Sequence, residues 1–184
     1  MADAALNLVS PDLPDGVLWR PLALRGDQRG SLSEIFRQEW DTGIDPVQWV
    51  LCRSHPGVLR GVHVHPGHAD YLIVIAGHAT VGLHDLRPRS PTSGRAAVFS
   101  LRGSDLVALT IPPGVAHGFL FHEASAFVLA TDSSWSGDDD LACHWADPAL
   151  GIDWPATPTS LSERDATAPP LARLVEELAA RRGR

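Results

Sequence analysis

Short apolar segments separated by turn residues dominate the chain from residue 17 to residue 131. Alternating or β-branched runs of four to eight residues, bounded by Gly, Pro, Asp and Ser, are typical of strands. The predicted strands cover residues 17–24, 31–36, 48–52, 80–86, 96–101, 105–111, 118–121 and 126–131, with two more between residues 57 and 77. Strands at this regular spacing predict an all-β fold, a barrel or a jelly roll.

The two strands between residues 57 and 77 are joined by a Pro-Gly turn. Side chains alternate along a strand, so His63 and His65 point to one face while the valines flanking His63 point to the other. Asp70 follows the turn and can bring a carboxylate back toward these imidazoles. The sequence therefore predicts a polar cluster on one face of this hairpin.

After residue 135 the pattern changes. Residues 136–140 form an acidic loop, and residues 146–170 are rich in proline with little periodicity. Leucine or valine then occurs at positions 171, 174, 175 and 178, a spacing that predicts a short amphipathic C-terminal helix. We expect a loose N-terminal arm over residues 1–16 and one domain over residues 17–184. The domain ends in a C-terminal extension, the proline-rich segment, and then in the helix.

Composition narrows the range of partners and of chemistry. The 184 residues carry a net charge of −7, and no basic run precedes the last few residues, so nucleic acid is not the expected partner. No apolar stretch is long enough to span a bilayer. Cys52 and Cys143 have no ligand-like spacing, which favours free thiols and a cytoplasmic location. The chain contains no lysine, so a mechanism that needs a lysine amine is excluded.

A second histidine segment lies at residues 111–119, where a tight turn precedes His117. With the earlier pair it resembles the two-part cupin signature, an HxH with an acid five positions on and a distant PxGxxH. Three imidazoles and a carboxylate suit Fe(II), Mn(II), Ni(II) or Zn(II). The candidate metal ligands are His63, His65, Asp70 and His117.

Six separated motifs occur in the same order as in one known family. They are Asp27-x-Arg29-Gly30 with Glu34-x-Phe36, Gly57-Val58-Leu59-Arg60-Gly61-x-His63, Asp85-Leu86-Arg87 with Ser90-Pro91-Thr92-x-Gly94, Pro112-x-Gly114-x-Ala116-His117-Gly118-Phe119, Asp147-Pro148 with Gly151-Ile152-x-Trp154-Pro155, and Leu161-Ser162-x-x-Asp165 with Pro169. From about residue 17 to residue 171 the chain resembles the dTDP-4-dehydrorhamnose 3,5-epimerase family. The resemblance implies a cupin jelly-roll β-barrel and a role in deoxysugar biosynthesis.

The resemblance also implies a reaction. Those enzymes are isomerases that remove a proton next to the ketone of a nucleotide-linked 4-keto-6-deoxyhexose and return a proton to the opposite face. The positions matching the base and the aspartate that polarises it are His63 and Asp165. A carboxylate on the far imidazole nitrogen fixes the tautomer and stabilises the imidazolium. This chemistry uses no cofactor.

Substrate-binding residues and a partner follow from the same resemblance. Arg60 and His117 match residues of the pocket, and Gln48 matches a further family position. Arg29 and Glu34 match residues placed around the sugar nucleotide, often across a dimer interface, although surface salt bridges would also explain them. The implied partners are a small-molecule nucleotide sugar and a second copy of the chain in a homodimer.

Three departures from the family pattern alter this interpretation. His65 replaces a glutamine, Asp70 replaces a lysine that helps stabilise the enolate, and the strand over residues 126–131 lacks the tyrosine that carries the second proton. The only tyrosine in the chain is Tyr71. The first two changes together create the metal-type cupin arrangement, and a divalent ion would restore the lost positive charge.

Three functions therefore remain open. The first is an isomerase on a keto-deoxysugar nucleotide, with either ordinary double epimerisation or inversion of one carbon. The second is a metal-dependent cupin enzyme, such as a dioxygenase or a metal-assisted isomerase, and the third is a non-catalytic sugar- or nucleotide-binding cupin. The first is favoured because the family's polar residues occur together. Contact between His63 and Asp165 would support it, whereas convergence of His63, His65, Asp70 and His117 on one point would support a metal.

Overall fold

A computed structural model describes residues 11–182 of the chain, so most of the predicted N-terminal arm lies outside the described residues. Strands account for most of the regular structure. The strands are β1 (Leu18–Pro21), β2 (Arg25–Asp27), β3 (Gly30–Leu32), β4 (Gln48–Ser54), β5 (Leu59–Val64), β6 (Asp70–Ala76), β7 (His78–Asp85), β8 (Ala96–Arg102), β9 (Val107–Ile111), β10 (Val115–Phe121), β11 (Ser125–Thr131) and β12 (Leu141–Ala142). The helices are α1 (Glu163–Ala166) and α2 (Leu171–Arg182), with short 3₁₀ turns at Gly137–Asp139 and Pro148–Leu150.

Two antiparallel five-stranded sheets make up the domain. The first sheet has the order β1-β9-β6-β11-β4 and the second has the order β12-β5-β10-β7-β8. Within residues 11–182, strands β2 and β3 pair only with each other. The predicted all-β jelly roll is confirmed, but hydrogen bonds stay within each sheet, so two facing sheets replace a closed barrel.

The main core lies between the two sheets. Leu72 and Leu109 of the first sheet pack in the same buried cluster as Val81, Leu83 and Phe119 of the second. Aromatic and branched side chains suit this position because inward-facing residues of both sheets interdigitate there.

The outer face of the second sheet is covered by the C-terminal helix. Val62 and Val64 pack there with Leu171, Leu174 and Leu178. The predicted alternation along β5 and the predicted amphipathic helix are both confirmed. Val175 is an exception, since 46% of its surface is exposed.

The strand predicted over residues 31–36 is mostly wrong, because β3 ends at Leu32. The following segment crosses the outer face of the first sheet without pairing to it. Phe36 lies edge-on to Tyr71 at 5.9 Å, and the Tyr71 hydroxyl donates to the Ile35 carbonyl at 2.6 Å. The alternating pattern there reflects burial of one side against the sheet rather than strand pairing.

The remaining predictions at chain level concern the N-terminal arm, the thiols and the membrane. Residues 11–16 have no regular structure beyond a turn, and the Asp15 amide donates to Oγ1 of Thr92 at 2.8 Å. Cys52 and Cys143 are free thiols. None of the helices within residues 11–182 has the length and apolar character needed to cross a membrane.

Candidate active site

A cavity of about 500 Å³ lies between the two sheets. The second sheet and the residue that follows β5 contribute Arg60, His63, His65, His117 and Phe119 to its lining, and the first sheet contributes Cys52, Asp70, Leu72, Phe127 and Leu129. The segment over residues 160–165 lines one side. The cavity therefore gathers both predicted histidine segments and the distant C-terminal aspartate.

His63 and Asp165 form a hydrogen-bonded pair in this cavity. Nε2 of His63 lies 2.8 Å from Oδ1 of Asp165. A carboxylate only accepts hydrogen bonds, so Nε2 carries the proton and donates it. The tautomer fixed in this way leaves a lone pair on Nδ1, the ring nitrogen that can accept a proton from a substrate.

Backbone pairing brings Asp165 to His63 from far along the chain. The Gly57 carbonyl accepts from the Thr159 amide at 2.9 Å, and Val58 forms a parallel bridge with Ser160. Ser162 then caps α1, its hydroxyl accepting from the Asp165 amide at 3.1 Å. The backbone pairing and the Ser162 cap together hold Asp165 at the cavity wall.

Asp165 is 4% exposed yet ionises readily. Burial alone would raise its pKa, but hydrogen bonds from His63 and from the Gly61 amide hold the pKa below its ordinary value. The Gly61 amide donates to Oδ2 at 3.3 Å. Both carboxylate oxygens are therefore occupied, and the group stays an anion that can stabilise an imidazolium.

Glycine at position 61 is required by the close approach of β5 to β10. Its φ is +122°, and a Cβ atom there would lie 2.7 Å from the Cα of Gly118 and 2.8 Å from the His117 carbonyl oxygen. Only a residue without a side chain fits. The glycine of the Arg-Gly-x-His motif thus lets the Gly61 amide reach Asp165.

A second polar cluster lies next to the pair. Oδ2 of Asp70 is 3.3 Å from Nε2 of His117 and 3.6 Å from Nε2 of His65. Ligand atoms of these three residues all lie within 4.8 Å of one another. Three of the four predicted metal ligands therefore converge, whereas the fourth, His63, is held by Asp165.

Burial shifts the pKa values in this cluster toward neutral side chains. It raises the pKa of Asp70 to about 8, an effect that the nearby carboxylates of Asp140, Asp132 and Asp139 increase. Burial, followed by the neighbouring His68, lowers the pKa of His65 to about 4. Burial also lowers the pKa of His117 well below its ordinary value.

The acidic loop over residues 136–140 supports this cluster, a role that the sequence pattern did not predict. Oδ2 of Asp139 lies 2.6 Å from Nδ1 of His68, whose ring stacks on His65 with centroids 4.2 Å apart. Asp140 pairs with Arg164, which also lines the cavity. The sequence signal for this role was the run of three aspartates at residues 138–140. Neighbouring like charges repel each other, so such a run favours contact with cations or histidines.

The predicted substrate-binding residues divide into two groups. Arg60 and His117 line the cavity, and Nε of Arg60 donates to Oγ of Ser54 at 3.0 Å. None of the ion pairs found within residues 11–182 includes Arg60, so its charge is available to an anion. Gln48 instead accepts a hydrogen bond from the Trp135 amide at 2.8 Å and is not among the lining residues.

Arg29 and Glu34 lie away from the cavity of their own chain. Arg29 is at the turn of the β2–β3 hairpin, pairs with Asp27 at 2.6 Å and has an 85% exposed side chain. Glu34 pairs with Arg37. Their predicted contact with the sugar nucleotide is not made within one chain and stays a prediction.

Within the described part of the chain, no tyrosine lines the cavity wall that the first sheet forms. Tyr71 is buried on the outer face of that sheet, where it contacts Phe36, and burial raises its pKa to about 12. Among residues 11–182, Cys52 and Asp70 are the only ones on this wall whose side chains can carry a proton. Trp49 is 44% exposed on the outer face of the same sheet.

Comparison with known proteins identifies the family. The family model described as dTDP-4-dehydrorhamnose 3,5-epimerase matches residues 12–173. The chain belongs to this family. Its members are sugar-nucleotide epimerases, and the predicted relationship is confirmed together with the enzyme class.

Individual members are similar over nearly the whole chain. The dTDP-4-dehydrorhamnose 3,5-epimerase of Shigella flexneri is 31% identical over 169 residues, which cover 87% of this chain and 93% of that protein. The crystal structure of the 3,5-epimerase of Legionella pneumophila with dTDP-4-keto-L-rhamnose has a TM-score of 0.84 at 30% identity, covering 94% and 96% of the two chains. ChmJ, a 3'-monoepimerase of Streptomyces bikiniensis solved with dTDP-quinovose, has a TM-score of 0.83 at 30% identity, covering 93% and 91%.

Proposed function

We propose that this protein epimerises a dTDP-linked 4-keto-6-deoxyhexose with His63 as the base. The observation that carries the proposal is the 2.8 Å hydrogen bond between His63 and Asp165 inside a cavity. A cavity of about 500 Å³ is large enough for a hexose. The dTDP sugars named with similar structures support the substrate class.

The reaction follows from the tautomer of His63. Its Nδ1 lone pair removes the proton on the carbon next to the ketone, and the Asp165 carboxylate stabilises the imidazolium that forms. The ketone becomes an enolate, and reprotonation from the opposite face inverts the carbon. We propose that Arg60, whose Nε donates a hydrogen bond to Oγ of Ser54, helps to hold the anionic part of the substrate. This sequence of steps needs no cofactor for the proton transfers themselves.

We further propose that inversion is restricted to one carbon. A double epimerisation needs an acid that serves two positions from the face opposite the base. Among the described residues, the wall formed by the first sheet offers only Cys52 and Asp70 as proton donors, and neither stands on β11, where the family has its tyrosine. The similarity to ChmJ, named as a 3'-monoepimerase, supports a single inversion at C3.

A homodimer is proposed as the assembled form. Trp49 and Leu51 on β4 and Leu32 on the hairpin expose 44%, 51% and 62% of their surfaces. β4 is an edge strand of the first sheet, and an unpaired sheet edge favours association. In a dimer, Arg29 and Glu34 would reach the partner's cavity. Size-exclusion chromatography with light scattering should give twice the chain mass, and a monomer would contradict this assembly.

We also propose a cytoplasmic location. Cys52 and Cys143 are free thiols, and a reducing compartment keeps thiols in this state.

Incubation with dTDP-4-keto-6-deoxyglucose in deuterium oxide tests the function. NMR of the product should show deuterium and inversion at C3 alone. Label at both C3 and C5 would contradict the restriction to one carbon while keeping the epimerase. Label at neither carbon, in the presence of measurable dTDP-sugar binding, would contradict catalysis and favour a binding protein.

A further inference from the structure

The cluster beside the base has the spacing of a metal site. Ligand atoms about 2.1 Å from a metal ion stand about 3.0–3.4 Å apart, depending on the coordination geometry. The Asp70 carboxylate lies 3.3 Å from Nε2 of His117 and 3.6 Å from Nε2 of His65. Small side-chain adjustments would therefore place an ion among the three residues.

The hydrogen bonds that His65 and His117 make on the side away from Asp70 determine which ring nitrogen of each carries the proton and which has a free lone pair. Nδ1 of His65 lies 3.1 Å from the Asp139 carbonyl, and Nδ1 of His117 lies 3.2 Å from the Val115 carbonyl. A carbonyl only accepts, so both Nδ1 atoms carry the proton. Each Nε2 then presents a lone pair to Asp70, which is the arrangement of metal-binding histidines.

Asp70 is a buried carboxylate with one oxygen that makes no hydrogen bond within the described residues. It is 3% exposed, and its Oδ1 atom makes no hydrogen bond with any residue in the described range 11–182. Lone pairs from two imidazoles facing a buried carboxylate oxygen repel unless a cation lies between them. A single proton could bridge to one imidazole, but the other contact would remain unfavourable.

We propose that His65, Asp70 and His117 bind one divalent transition-metal ion while His63 stays outside its coordination sphere. Two neutral imidazoles and one carboxylate suit Fe(II), Mn(II), Ni(II) or Zn(II) and leave coordination positions open toward the cavity. Oδ1 of Asp70 also lies 3.6 Å from Nε2 of His68, whose hydrogen bond to Asp139 holds that ring in place. The hydrogen bonds of His65 and His117 to backbone carbonyls are outer contacts of the kind that hold metal-binding histidines in place.

The ion would have a role in the epimerase reaction. A cation beside His63 would stabilise the negative charge that develops on the enolate oxygen. With Asp70 as a ligand of the ion, Cys52 would be the proton donor left among the described residues of the first-sheet wall. This role rests on the proposed function, whereas metal binding does not.

Metal content and affinity test the site directly. The full-length protein is purified without chelator, analysed by mass spectrometry for bound metals, stripped, and titrated with Co(II) while visible absorption is recorded. We expect about one equivalent per chain and d–d bands of a nitrogen- and oxygen-ligated ion. The changes His65→Ala, His117→Ala and Asp70→Asn should each weaken Co(II) binding by more than about 10–100-fold, which is the usual loss when only an outer-shell partner of a ligand is removed.

Two control variants distinguish this site from other arrangements. His122 is exposed and lies with its ring 4.4 Å from that of His78, a histidine pair able to bind metal adventitiously. His122→Ala and His63→Asn should both keep wild-type stoichiometry. Loss of metal in His122→Ala, with metal kept in the three ligand variants, would overturn the site. Loss of metal in His63→Asn as large as in the ligand variants would show that His63 is itself a ligand and would contradict its place outside the coordination sphere. Circular dichroism of every variant checks that it is folded.

The failure of the site and the failure of the epimerase give different results. The metal site is overturned if wild-type protein at saturation binds less than about 0.2 equivalents per chain of each of Mn, Fe, Co, Ni and Zn. This holds whether or not the protein epimerises the sugar. Protein that binds one equivalent without deuterium incorporation supports the metal site and contradicts the proposed reaction.

Discussion

Nε2 of His63 lies 2.8 Å from Oδ1 of Asp165, although 102 residues separate them in sequence. The contact depends on the backbone bridge between Val58 and Ser160, which returns the C-terminal segment to the start of β5. The pair gives one imidazole a defined tautomer inside a cavity. A base of this kind can remove a proton next to a ketone.

Replacing Asp165 with asparagine should reduce catalysis with little change in substrate binding. The neutral amide cannot stabilise the imidazolium, so kcat should fall on the order of 10²–10⁴-fold, while KM stays within about threefold. Steady-state kinetics of Asp165→Asn check this. Glu163→Gln, an exposed change on the same helix, is the control and should behave as wild type. A kcat for Asp165→Asn within about threefold of wild type would contradict the role of the carboxylate.

Replacing Gly61 with alanine should destabilise the fold. The added Cβ would lie 2.7 Å from the Cα of Gly118 and would occupy a backbone with a φ of +122°. We expect the free energy of unfolding to fall by about 2–4 kcal/mol. Gly94→Ala is the matched control, because its φ is +79° but no atom lies within 4 Å of the added Cβ. That variant should lose only about 1 kcal/mol from backbone strain. Urea denaturation measures both, and equal losses would show that the contact with Gly118 is unimportant.

Asp85 should make stability depend on pH in the acid range. Burial alone would raise its pKa, but hydrogen bonds from Arg87, Ser90 and Thr92 outweigh this effect and hold the pKa well below its ordinary value. A depressed folded-state pKa adds stability above the unfolded pKa of about 4, and that stability is lost as the pH falls through the folded value. Asp85→Asn should therefore cost about 3 kcal/mol at neutral pH, and its difference from wild type should shrink below about pH 4.

Urea denaturation of both proteins at several pH values measures this difference. Asp12→Asn is the control, since its pair with Arg95 is at the surface and the Asp12 side chain is 84% exposed. Exposed pairs contribute at most about 1 kcal/mol. A loss from Asp85→Asn that is independent of pH would show that packing, not charge, stabilises the site.

The sequence predicted the site residues where local geometry or a known motif determines them. The HxH spacing places His63 and His65 on one face of β5, and alternation places Val62 and Val64 on the other, as the structure shows. Asp165 was predicted only through the family motif, because no local pattern indicates a contact over 102 residues.

Other features depend on tertiary contacts that the sequence does not reveal. The acidic loop was predicted as a polar loop, yet Asp139 and Asp140 contact His68 and Arg164. The segment after β3 alternates like a strand but packs Phe36 on a sheet face instead of pairing. Hydrophobic periodicity shows which side chains are buried and not what their backbone pairs with.

The central claim is that His63 is the base, and a comparison of deuterium exchange by wild-type protein and by His63→Asn tests it most directly. Wild-type protein in deuterium oxide should exchange the C3 proton of dTDP-4-keto-6-deoxyglucose. His63→Asn should exchange it no faster than buffer, while dTDP binding stays within about threefold of wild type. Exchange by His63→Asn at a rate near that of wild type would contradict the assignment of His63 as the base.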